Sequence, residues 1–186
     1  MSEDQLSRAN KAFERGNLSE SERLYTRLRD STEDRADEFM HAQALVGLGS
    51  IASARGDYFN ALEMLNLALG IARNASDHRS HANALTSISE IHFARGEYEH
   101  AVRNATHAQQ LAETSGHKAT IASAVSARLV AATEVGETEV ARELADRALQ
   151  LRTEVGETTG VISAIANVAG LDINTGNVAV AMELLT

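Results

Sequence analysis

Seven histidines are the first residues in this 186-residue chain whose type could do chemistry. His78 and His81 stand at i and i+3, which puts two imidazoles on one helix face. His41 precedes His81 by the same interval that separates Gly56 from Gly96. Imidazole is a common metal ligand, so the pattern invites a metal site. Such a site needs further donors, and the chain has no cysteine and no tight carboxylate cluster to supply them. Equivalent residues on neighbouring packed helices also lie about 10 Å apart, too far for shared ligation. No metal and no cofactor is expected. Serines are plentiful, but none sits in a strand–turn–helix elbow, and the glycines do not form a phosphate loop. No catalytic residue is predicted, and the chain is read as a non-enzyme. Arg55-Gly56-Asp57 matches an adhesion tripeptide, and Asn17, Asn74 and Asn104 begin Asn-x-Ser/Thr patterns in a chain whose polar, acidic start is no secretory leader. The tripeptide has a plainer origin in the elements that carry it.

Those elements repeat. Glycines stand at Gly16, Gly56, Gly96, Gly136 and Gly176, equally spaced along the chain. At a fixed offset beyond the last four are Ala61, Ala101, Ala141 and Ala181, with Ser21 in the first unit. Ala44, Ala84, Ala124 and Ala164 keep the same register upstream. Each unit reads as helix, tight turn, helix. Over 34–55 the residues Ala44, Leu45, Leu48, Ile51 and Ala52 recur at spacings of three and four, the apolar stripe of a buried helix face. Gly56 ends that helix by taking a left-handed conformation. Asp57 can cap the next helix, over 58–74, as can Asn17 and Asn177, whereas Glu97 and Glu137 are poorer caps. Arg55-Gly56-Asp57 thus becomes Arg95-Gly96-Glu97 and Val135-Gly136-Glu137 in later units. It is a corner between helices.

Composition agrees with an all-α fold. There is no Pro or Trp, and alanine carries the apolar content to 44%. A net charge of −9 excludes nonspecific nucleic-acid binding and disfavours anionic membranes. No apolar run approaches the roughly 20 residues that cross a bilayer. The chain is expected to be cytoplasmic. Fifteen Arg against two Lys, Lys11 and Lys118, hint at a GC-rich bacterial genome.

Leu48-Gly49, Ala52, Gly56-Asp57-Tyr58, Ala61 and Ala68, repeated as "ARGEYEHA" over 94–101, resemble the tetratricopeptide repeat signature. The resemblance covers the chain as about five units, approximately 1–33, 34–75, 76–115, 116–155 and 156–186, the last apparently incomplete. The 40-residue period is longer than the common 34 and is similar to the longer-helix subgroup. The usual proline is missing, and Gly116 and Gly156 take its place. His92 and Asp172 interrupt a packing column of Ala12, Ala52 and Ala132. HEAT-type repeats, the alternative, lack the Gly-Asp/Glu-Tyr corner.

The resemblance implies a right-handed superhelical solenoid of antiparallel helix pairs whose first helices line a concave groove. Family groove positions fall on Gln43, Val46, Gly47 and Ser50. They continue at Asn83, Thr86, Ser87 and Glu90, then Ser123, Ser126, Ala127 and Val130, then Ser163, Ala166, Asn167 and Gly170. None of these is Lys or Arg, so the basic clamp with which some relatives grip a C-terminal carboxylate is not expected. Glu90 or Glu134 would favour a basic residue. The function implied is an interaction module or adaptor that binds a peptide or helix of a protein partner, as part of a larger regulator. The alternative is a self-assembling scaffold. The final stretch, with Val178, Met182, Leu184 and Leu185, has no polar cap, so either more repeats follow Thr186 or this end docks on another subunit.

Overall fold

Alanine-rich, proline-free sequence becomes helix along nearly all of the described residues. The computed structural model describes residues 2–32, 37–156, 158–174 and 176. Its helices are α1 (Ser2–Glu14), α2 (Leu18–Thr32), α3 (Glu38–Ala54), α4 (Tyr58–Asn74), α5 (His78–Ala94), α6 (Tyr98–Ser115), α7 (Lys118–Glu134), α8 (Thr138–Val155) and α9 (Thr158–Asn174). No strand occurs among the described residues.

The corner at Gly56 shows how each hairpin closes. Gly56 sits at φ +80°, where a Cβ would be strained. Its N–H donates to Ser53 O at 2.9 Å and the Asp57 N–H to Ala52 O at 2.9 Å, which satisfies carbonyls at the end of α3. The Asp57 carboxylate then accepts from Asn60 N at 3.3 Å and caps α4. Glu97 and Glu137 precede α6 and α8 without a side-chain cap bond, as the poorer capping chemistry of glutamate predicts. Between hairpins, Gly116 and Gly156 end α6 and α8 in the left-handed region. α3 begins at Glu38, where Asp37 accepts from Met40 N at 3.2 Å and caps the helix.

Small residues set the packing distances. Ala61, Ala101 and Ala141 are wholly buried, and so are Ala44, Ala84 and Ala124. At Gly49 a Cβ would come within 2.8 Å of Leu65 Cγ and 3.2 Å of Ala61 O, so α3 and α4 approach backbone to side chain. Buried cores follow one another along the array: Leu28 and Ile51 belong to the first, Leu65 and Ile91 to the next, Leu129 and Leu144 to the last described. Each unit is stabilised by its neighbours, as in other stacked repeats.

His92 breaks the alanine column for a local reason. Its ring stacks on His100 of α6 with centroids 5.2 Å apart, and its Nδ1 lies 2.6 Å from Glu97 Oε2. The side chain ties the corner together rather than filling the core.

Candidate partner-binding face

The odd-numbered helices form one layer. α1 touches α3, α3 touches α5, α5 touches α7 and α7 touches α9, whereas among the described residues no even-numbered helix reaches the next even one. An array packed more closely on one layer curves toward it, so the odd helices line the concave side. The expected groove positions fall on this layer.

Several of their polar groups are tied between units. Gln43 Nε2 donates to Ser80 Oγ at 2.8 Å, Asn83 Nδ2 to Gln43 Oε1 at 3.3 Å, and the hydroxyls of Ser50 and Ser87 meet at 3.0 Å. This ladder joins α3 to α5. The hydroxyls of Thr86 and Ser126 turn back onto Ala82 O and Ala122 O at 2.9 and 2.8 Å. Val46 is buried. Gly47 lies beneath Tyr25 of α2, where a Cβ would collide with the phenol ring. Ser123 receives Arg152 Nη2 at 3.4 Å. Asn167 is half-buried, while the side chain of Ser163 and residues Val178, Met182, Leu184 and Leu185 lie outside the described residues.

Among the described residues, two of the hollows on this layer lie along α5. The first, about 210 Å³, is polar and includes Asn10, Tyr25, Arg79, Asn83, His117 and Ser123. Tyr25 passes over Gly47 and its hydroxyl donates to Asn10 Oδ1 at 2.5 Å. Burial, assisted by Glu14, holds the phenol well above its ordinary pKa, so it remains a donor. Arg79, which is not among the expected groove positions, also lines this hollow. Arg79 stands in the first turn of α5, one turn before the position carried by Asn83, and its guanidinium covers the Phe39 ring at 5.3 Å. Burial pushes its pKa down, with Asp77 opposing. Arg79 Nε and Asp77 Oδ2 are buried with no hydrogen-bond partner among the described residues. A single guanidinium is still not the multi-cation set of a carboxylate clamp.

The second hollow, about 150 Å³, lies between α5 and α7 and is lined by Ser89, Glu90, Phe93, Ser126, Ala127 and Val130. Glu90 reaches solvent, yet protein crowds it inside the concavity. That desolvation raises its carboxyl to about 7 against the pull of Arg152.

The histidines do not converge on one site. His41 Nδ1 meets Thr32 Oγ1 at 3.2 Å, while the His81 ring faces His107 edge-on with centroids 5.6 Å apart. Among the described residues no group of three or more potential ligands could hold a metal, and no helix is long and apolar enough to cross a membrane.

A curved stack of helix hairpins with hollows on its inner face defines a helical repeat solenoid. In comparison with known families, residues 40–114 match the tetratricopeptide repeat. That match spans fewer than half of the chain's residues, and the fold of the described helices is similar to that of tetratricopeptide-type solenoids. No curated protein matches it in sequence. Among solved structures it is similar to a Rap protein complexed with Competence and Sporulation Factor, at 16% identity and TM-score 0.81, over 97% of this chain and 50% of that one. BtubC (BKLC) from P. vanneervenii matches at 17% identity and TM-score 0.71, over 95% of this chain and 73% of that one. The nearly identical TPR-like repeats of a kinesin-light-chain type from Podosopora anserina match at 16% identity and TM-score 0.64, over 98% and 90%. At these identities the likeness concerns the fold. Tetratricopeptide repeats are in general protein–protein interaction modules, and the match over 40–114 supports that role in general.

Proposed function

We propose that the chain is the recognition part of an adaptor or regulator and holds a peptide or helix of a partner protein against the concave layer of odd-numbered helices. The observation that carries this reading is the pair of hollows along α5. One is polar, with Arg79 and Asn83; the other is apolar, with Glu90 at its edge. Arg79, Asn83 and Glu90 stand at i, i+4 and i+11, so they share one face of α5 and can line the path of a single segment. Binding by shape and polar contacts requires no catalytic group. The Rap protein of similar fold is in complex with a factor, and this chain spans half its length, which supports a recognition role within a larger protein.

The ladder residues are poor choices for testing the groove, since changing Asn83 or Ser87 also disturbs α3–α5 packing. Ala127 and Val130 are partly exposed in the second hollow and leave the ladder intact. Partner capture from a lysate of the source organism should therefore be compared between the parent chain and Val130→Arg, with helicity checked by circular dichroism. A protein held by the parent, released by the folded variant and displaced by a peptide of its own sequence is the expected result. Capture that ignores Val130→Arg and Ala127→Arg alike would move the working surface elsewhere.

A further inference from the structure

The second hollow is more selective than its small size suggests. Of its six lining residues, three offer apolar side chains only. The two serines are satisfied by the protein: Ser89 donates to Ala101 O at 2.8 Å and Ser126 to Ala122 O at 2.8 Å. Neither hydroxyl needs a ligand. Phe93, Ala127 and Val130 supply apolar wall, so Glu90 is the one lining side chain with a charge to satisfy. A volume of about 150 Å³ is the size of an apolar cavity that takes up benzene in another protein. It is ample for a chain of three or four methylenes.

We propose that this hollow receives the lysine or arginine side chain of the bound segment, its methylene stem against Phe93, Ala127 and Val130 and its cation on the Glu90 carboxylate. This rests on the concave-face reading and gives that face a chemical preference. The argument is one of complementarity. An aliphatic side chain would fill the walls but strip water from Glu90 and return no partner, which carries a desolvation cost. An acidic side chain would bring a like charge to a carboxylate already crowded enough to be raised to about 7. Only a long basic side chain combines an apolar stem with a cationic head. Arg152 of α8 is the protein's own cation near Glu90, and it lowers the carboxyl's pKa without returning it to the ordinary range. The guanidinium is engaged at Ser123, the Cδ of Arg152 lies 2.7 Å from where a Cβ on Gly160 would stand, and Arg152 is not one of the residues that line the hollow.

The test uses the full chain, labelled with nitrogen-15, and three probes: N-acetyl-lysine amide, N-acetyl-arginine amide and N-acetyl-norleucine amide, which keeps the stem and lacks the charge. Amide shifts of Glu90, Phe93, Ala127 and Val130 are followed at pH 8, where Glu90 is ionised. Saturable shifts with the two basic probes are expected, with the norleucine probe at least tenfold weaker. Glu90→Gln should remove that difference, and Glu90→Lys should transfer the preference to N-acetyl-glutamate amide. An equal response to norleucine and lysine probes, or a lysine preference that survives Glu90→Gln, overturns the proposal. So does the absence of any response at these amides. If Val130→Arg nevertheless releases a captured partner, the concave-face reading stands while the basic subsite is lost.

Discussion

Two corners in successive units share a backbone and differ in nearly everything attached to it. At the first, Gly56 N bonds Ser53 O at 2.9 Å and Asp57 N bonds Ala52 O at 2.9 Å; at the second, Gly96 N bonds Phe93 O and Glu97 N bonds His92 O, both at 2.9 Å. The glycine φ values are +80° and +74°. Yet Arg55 reaches back one unit to Glu22 of α2 through two bonds of 2.9 and 2.7 Å, while Arg95 turns onto Glu97 at 2.8 Å. Asp57 caps its helix. Glu97 leaves the cap and holds His92. The repeat therefore conserves main-chain geometry and small packing residues, and individual units use the exposed side chains for different local ties. The tripeptide Arg55-Gly56-Asp57 is explained by that scheme without a receptor.

The strongest way to break the comparison is beneath the corners, where they are alike. Ala61 and Ala101 are both wholly buried between paired helices. Ala61→Leu and Ala101→Leu should each overpack the contact and cost about 1–3 kcal/mol in a denaturant titration. A parent-like midpoint for either would mean that its helix pair can open at no cost, and the shared scheme would not hold there. Next comes the cap. Asp57→Ala removes a side-chain bond to the first turn of α4 and should cost about 1 kcal/mol. Glu97→Ala removes no cap, only partly exposed ties to His92 and Arg95, and its effect should be the smaller of the two. If the Glu97 variant loses as much stability as the Asp57 variant, the two corners are energetically equivalent despite their different bonds.

The same distinction explains what could be read from sequence. Evenly spaced glycines and the alanine columns mark turns and close contacts, both enforced by sterics, so they announce the hairpins directly. The capping difference between Asp57 and Glu97 was legible too, from side-chain length. The inner face was harder. Positions carried over from the family land on the odd-helix layer, but helix register alone does not say that Gln43, Asn83, Ser50 and Ser87 bond to each other across units. Long side chains defeat the register altogether. Arg79 reaches the groove from one turn earlier, and Tyr25 reaches it from an outer helix. A signal for Tyr25 was present in Gly47, a missing side chain beside a large aromatic, though nothing in the spacing pairs positions 25 and 47. His92 was visible as an exception in its column. Its partners were not, because they depend on where Glu97 turns once it stops capping.

A last contrast concerns the starts of α5 and α7, again alike in backbone role and different in chemistry. Asp77 caps α5 by accepting from Arg79 N and Ser80 N at 3.0 and 3.1 Å. His117 caps α7 by accepting from Thr120 N at 3.3 Å on Nδ1. That nitrogen can accept only while unprotonated. Burial first, and then Arg79, hold the His117 pKa below its ordinary 6.5. Because the folded value is depressed, the unfolded chain binds the proton more readily. The cap's contribution is therefore complete above about pH 6.5 and is lost as pH falls through the lower folded value. His81 titrates in the same direction, lowered by burial and then by His107, so the two must be separated by mutation. His117→Asn keeps an N-capping side chain without a titrating proton. The melting temperature of the parent should fall faster than that of His117→Asn as pH drops from 7.5 to about 5, with the gap closing above 6.5. Parallel curves across that range would mean that α7 begins without help from His117, and its cap would then be no different from the bare glutamates at α6 and α8.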